Sequence, residues 1–116
     1  SGENIAAAEI EAVLQSHQNV AQAAVIAVPD EIRQEEVMAC VILMECKGSD
    51  LNIAIELQDY CLSEMAYYKA PAYILFVDTL PVTNTQKVSK VRLFPTGVDP
   101  CRVEGCFDLR ERKRRE

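Results

Sequence analysis

Residues 20–44, VAQAAVIAVPDEIRQEEVMACVILM, decide how this chain is read. Residues 20–28 and 37–44 are apolar at odd and even positions alike. A strand with one wet face alternates apolar and polar, so these runs predict strands covered on both faces. The connection between them, PDEIRQEE at residues 29–36, is too short for a helical crossover. The two strands are therefore expected to pair antiparallel, as a wide hairpin.

Working outward, residues 6–16 predict a helix, with Asn4 as its cap and Ile10, Val13 and Leu14 on one face. Ser49 or Asp50 caps a second predicted helix running to about residue 65, with Ile53, Leu57, Tyr60 and Cys61 as its apolar stripe. Pro71 stops helix propagation, and YILFV at 73–77 predicts a third strand. LPVTNTQ at 80–86 is rich in turn residues, with Lys87 on its far side and a short helix expected within 89–94. The order predicts a small α+β fold: helices packed on a three-stranded sheet made of an antiparallel hairpin plus one strand. Residues 1–94 read as the folded unit. Residues 95–116, PTGVDPCRVEGCFDLRERKRRE, lose periodicity and read as a tail with a basic end.

At 116 residues the chain suits one domain, and 49% apolar with 26% charged residues is an ordinary globular composition. No apolar run approaches the roughly 20 residues of a membrane span. The net charge of −6 argues against nucleic acid as a partner. Residues 110–116 sum to +3, leaving −9 on residues 1–109, so the basic end is either solvated or reserved for an anionic partner. Five cysteines without a paired metal spacing suggest free thiols and a reducing, cytoplasmic setting, with Cys40 and Cys61 as core residues.

His17 is the only imidazole, and no Ser, Cys or Asp is placed by motif beside it, which leaves a hydrolytic triad without support; four scattered glycines make no phosphate loop. No metal site is expected. What remains is Lys87 beside a turn, followed by Lys90 and Arg92. An ammonium on a loop can neutralise charge building on a phosphate or carboxylate.

Several motifs in order give that lysine a context: SGENI at 1–5, EIEAVL at 9–14, AAVIAVPD at 23–30, EEVMACV at 35–41, YKAP at 68–71 and FVDTLPVTNTQKV at 76–88. Together they resemble the carboxy-terminal domain of AMP-forming acyl-CoA synthetases, a superfamily that includes luciferases and peptide-synthetase adenylation domains. The resemblance implies a mobile lid on a larger amino-terminal domain that binds ATP, Mg²⁺ and a carboxylic acid. It implies that Lys87 is catalytic in acyl-adenylate formation. After the lid rotates, Gly2, Glu3 and Asn4 would line the channel for the thiol of coenzyme A. Lys69, and more weakly Tyr68 and Arg92, would meet CoA phosphates or the partner domain. The acid is expected to be fatty or carnitine-like, and the fragment alone inactive. The family usually has glycine where this chain has Gln86, before the lysine. Two alternatives stay open: a peptide-synthetase lid serving a carrier protein, and a non-enzymatic interaction module contacting partners through its basic end.

Overall fold

The computed structural model describes residues 6–44 and 48–113. Helix α1 (Ala7–Gln15) leads into strands β1 (Val20–Asp30) and β2 (Gln34–Leu43). Helix α2 (Leu51–Glu64) and a 3₁₀ turn (Tyr67–Lys69) then return the chain to β3 (Tyr73–Phe76). Further 3₁₀ turns (Lys90–Arg92, Pro100–Arg102) precede β4 (Phe107–Asp108), and a last one (Arg110–Lys113) follows it. No helix among the described residues is long and apolar enough to cross a membrane.

The fold is α+β, as expected, but the sheet has four strands in the order β1-β2-β3-β4. β1 and β2 are antiparallel, β2 and β3 parallel through the α2 crossover, and β3 and β4 antiparallel. The fourth strand comes from the stretch read as a tail, whose two-residue length left no period to detect. The hairpin is also tighter than expected. Pairing continues to Pro29↔Glu35 and Asp30↔Gln34, so only residues 31–33 turn. The Asp30 carboxylate makes this possible by accepting the Ile32 and Arg33 amides at 3.0 and 2.9 Å, and Gln34 takes a left-handed φ of 71°. Pro29 is tolerated because β1 is an edge strand.

Alternate residues of each strand enter two separate cores. Ala23, Val25, Val37, Ala39, Val41 and Ile74 pack with Ile10, Leu14, Ala54, Leu57 and Cys61 of the helices. Ala24, Val28, Met38, Cys40, Tyr73 and Leu75 fill the opposite face, covered by Leu80, Val88, Leu93, Phe94, Cys101, Val103 and Cys106. Both strand faces are therefore buried, one under helices and the other under the irregular stretch 77–106. α2 begins where Asp50 Oδ1 accepts the Ile53 amide at 3.1 Å. α1 has no side-chain cap at Ala6; the Asn4 cap lies outside the described residues.

Candidate functional site around Lys87

Residues 81–89 form a small hairpin projecting from the body. Val82 and Val88 bridge antiparallel, and the Ser89 amide donates to Pro81 C=O at 2.8 Å. At its tip the Gln86 amide donates to Thr83 C=O at 3.0 Å, and the Thr83 amide to Lys87 C=O at 2.7 Å. This is a turn followed by a left-handed residue, Gln86 at φ 69°. Such a position favours glycine, because a Cβ there crowds the following carbonyl. Thr83 Oγ1 lies 2.9 Å from Thr85 Oγ1 and accepts the Thr85 amide at 3.3 Å, tightening the tip.

Lys87 leaves this turn exposed, and its ammonium has no hydrogen bond or ion pair with other described residues. Its neighbours, by contrast, are tied down. Arg92 Nη1 donates to Val82 C=O at 3.3 Å, bracing the base of the hairpin. Lys90 Nζ meets Glu11 Oε2 of α1 at 2.8 Å. The same carboxylate oxygen accepts the Val25 amide at 2.8 Å, while Gln15 Oε1 accepts the Ala23 amide at 3.1 Å. One helix face thus occupies the free edge of β1 and anchors the lysine hairpin.

The other candidate residues scatter. Lys69 ends its 3₁₀ turn with Nζ 3.1 Å from Glu9 Oε1, on the same helix that holds Lys90. Tyr68 is exposed and Tyr67 lies under the Arg33 guanidinium at 5.3 Å. Gly2, Glu3 and Asn4 lie outside the described residues. Sequence reasoning missed Glu9 and Glu11 as anchors; the only signal was the spacing of Glu11 and Gln15, four apart on one helix face.

The remaining reactive groups have structural work. His17 is buried, with Nδ1 accepting the Asn19 amide at 3.0 Å and Nε2 3.0 Å from Glu56. Cys40 and Cys61 are core residues as expected, their thiols pushed up to about 12 by burial, so neither offers a thiolate at neutral pH. Among the described residues no three His, Cys, Asp or Glu side chains converge into a metal site.

Comparison with known proteins places the fold in a known family. The family "AMP-binding enzyme C-terminal domain" matches residues 9–87, ending on Lys87. The mitochondrial medium-chain acyl-CoA ligase ACSF2 of Danio rerio is 45% identical over 92 residues, covering 79% of this chain and 15% of the relative. Among solved structures, the anthranilate CoA ligase AuaEII in complex with anthranoyl-AMP matches with TM-score 0.71 and 34% identity, over 77% of this chain and 17% of that one. The o-succinylbenzoate CoA synthetase of Bacillus subtilis, with its acyl-adenylate OSB-AMP, gives TM-score 0.69 and 34% identity, over 78% and 18%. A small α+β domain of this kind is thus a type found in acyl-CoA ligases. The chain belongs to the AMP-binding enzyme C-terminal domain family. It spans about 15% of the length of the first of these ligases.

Proposed function

We propose that this chain is the mobile lid of an ATP-dependent, AMP-forming acyl-CoA ligase, with Lys87 its catalytic cation. The observation that carries the reading is the contrast around the hairpin: Lys90 and Arg92 are engaged, while the Lys87 ammonium is exposed and without a partner among the described residues. The names of the relatives as acyl-CoA ligases support it.

In the first half-reaction a carboxylate oxygen bonds to the α-phosphorus of ATP while the bond to pyrophosphate breaks. Attacker, phosphate and leaving group are all anionic. A cation delivered on a rigid support lowers that barrier without having to reorganise first. Lys87 supplies it and exchanges no covalent bond. In the second half-reaction the thiol sulfur of CoA takes the acyl carbon, AMP leaves, and the thiol proton is released. For that step the lid turns away, Gly2, Glu3 and Asn4 line the thiol channel, and Lys69 moves from Glu9 to a CoA phosphate.

The partner is the N-terminal adenylating domain of the same chain, which holds ATP and the acid. Among the described residues no acidic side chains converge to hold Mg²⁺, so the ion belongs with ATP in the N-terminal domain. The acid is a fatty acid, with medium chains the first to test given the relatives' names. The lid alone is inactive. Free thiols suit a reducing compartment; the cytosol expected from the sequence and the mitochondrial setting named for the relatives both qualify.

The test is the full-length ligase with ATP, Mg²⁺, CoA and a medium-chain fatty acid. Acid-dependent release of pyrophosphate and AMP with acyl-CoA formation is expected. ADP production, or acyl transfer to a carrier protein but never to CoA, would overturn the reading.

A further inference from the structure

Residues 107–113 lie beyond the family-matched span 9–87, yet they are stitched to four elements of the family fold, β1, β2, α2 and β3. β4 pairs with β3 through Tyr73↔Asp108 and Ile74↔Phe107. The Leu109 amide donates to Ala72 C=O at 2.7 Å, and its side chain enters the helix-side core. Gln58 of α2, fully buried, donates through Nε2 to the carbonyls of Pro71 and Leu109, both at 2.9 Å. Its Oε1 accepts from Arg112 Nη1 at 2.9 Å, and the same Nη1 meets Asp59 at 2.9 Å. Lys113 Nζ reaches Glu36 Oε1 of β2 at 2.7 Å, the two side chains 0% and 3% exposed. Arg33 closes the other Glu36 oxygen at 3.1 Å. Arg110 bonds Asp108 at 2.9 Å and Asp30 at 3.2 Å, and lies 5.4 Å over the Tyr73 ring.

In the ion pairs that cross between the segment and the body, the charges sort by side. Arg110, Arg112 and Lys113 come from the C-terminal segment; Asp30, Glu36 and Asp59 come from β1, β2 and α2. Glu36 is nearly dry, and a dry carboxylate left without its ammonium is strongly unfavourable. The receptor is therefore built around a short strand followed by a basic 3₁₀ turn.

We propose that residues 107–113 form a strap in cis that closes the β3 edge and clamps the hairpin end of β1–β2 onto α2 and β3. It opens and closes as a local unit while the rest of the sheet stays folded. Docked, it makes the tip of the first hairpin and the second helix one body.

Limited trypsin digestion of the whole chain, followed by mass, reads this directly, because cleavage sites sit both on the strap (Arg110, Arg112, Lys113) and on the exposed hairpin (Lys87). The strap bonds are expected to be cut more slowly than Lys87. Receptor-side variants leave every site intact. Asp59→Asn removes an exposed pair and should speed strap cleavage by about threefold. Glu36→Gln removes the buried partner and should speed it by about tenfold or more. In both, the Lys87 rate should hold, which also reports that the remainder is folded. Three results would overturn the proposal: strap bonds cut as fast as Lys87 in the unaltered chain, strap rates unmoved by both variants, or equal acceleration at Lys87 and the strap. None of these rates depends on what Lys87 does in catalysis.

Discussion

Asp30, its side chain 4% exposed at the end of β1, accepts the amides of Ile32 and Arg33 and pairs with Arg110 from the far end of the chain. The Arg33 amide and then Arg110 hold its carboxyl below the ordinary 3.8. Asp108 is held below 3.8 in the same way, chiefly by hydrogen bonds from the Arg110 side chain. Both acids therefore bind protons more weakly folded than unfolded. Their stabilisation is complete above pH 3.8 and is lost as the pH falls through the lower folded values. Urea midpoints should accordingly fall below about pH 4, and Asp30→Asn should lower the midpoint at pH 7 while flattening that acid limb. An equally steep acid limb in variant and parent would contradict the assignment. At this scale the sequence was legible for core residues such as Cys40 and Cys61, whose apolar neighbours announce burial. It was silent on Asp30 and Arg110, because a pair formed across eighty positions leaves no local pattern.

Two hairpins turn on glutamines held at positive φ, Gln34 at 71° and Gln86 at 69°. At the second, the Thr83 carbonyl and amide fix both sides of the tip, so surrounding bonds hold a conformation that a Cβ disfavours by about 1 kcal/mol. Gln86→Gly should raise stability slightly, by up to about 0.5 kcal/mol, the relief of crowding just exceeding the entropy glycine adds to the unfolded chain. Thermal or urea unfolding checks this; a loss of stability would show that the Gln86 side chain contributes something the hairpin geometry does not reveal. The strong elements were legible: both helices and the three longer strands lie where periodicity and β-propensity put them, within a few residues. The turn at 31–33 was not, since its tightness comes from one carboxylate accepting two amides, and β4 is too short to carry a period.

The whole molecule is a sheet between unlike layers. Continuous apolar runs at 20–28 and 37–44 implied cover on both faces, and both are covered. That the second cover is the irregular stretch 77–106 was illegible, because loops packed by scattered side chains have no spacing to read. The candidate site divides likewise. A lysine after a turn-rich segment was visible, but its chemistry came from the family resemblance, and the bracing by Glu11 and Arg92 only from the fold. The most direct measurement separates the two half-reactions of the full-length ligase carrying Lys87→Ala. Acid-dependent pyrophosphate release should fall about 10²–10³-fold, the cost of removing one preorganised charge-stabilising group, while thioester formation from supplied acyl-adenylate continues near the parent rate. Equal loss in both half-reactions, or no loss in the first, would contradict the role given to Lys87.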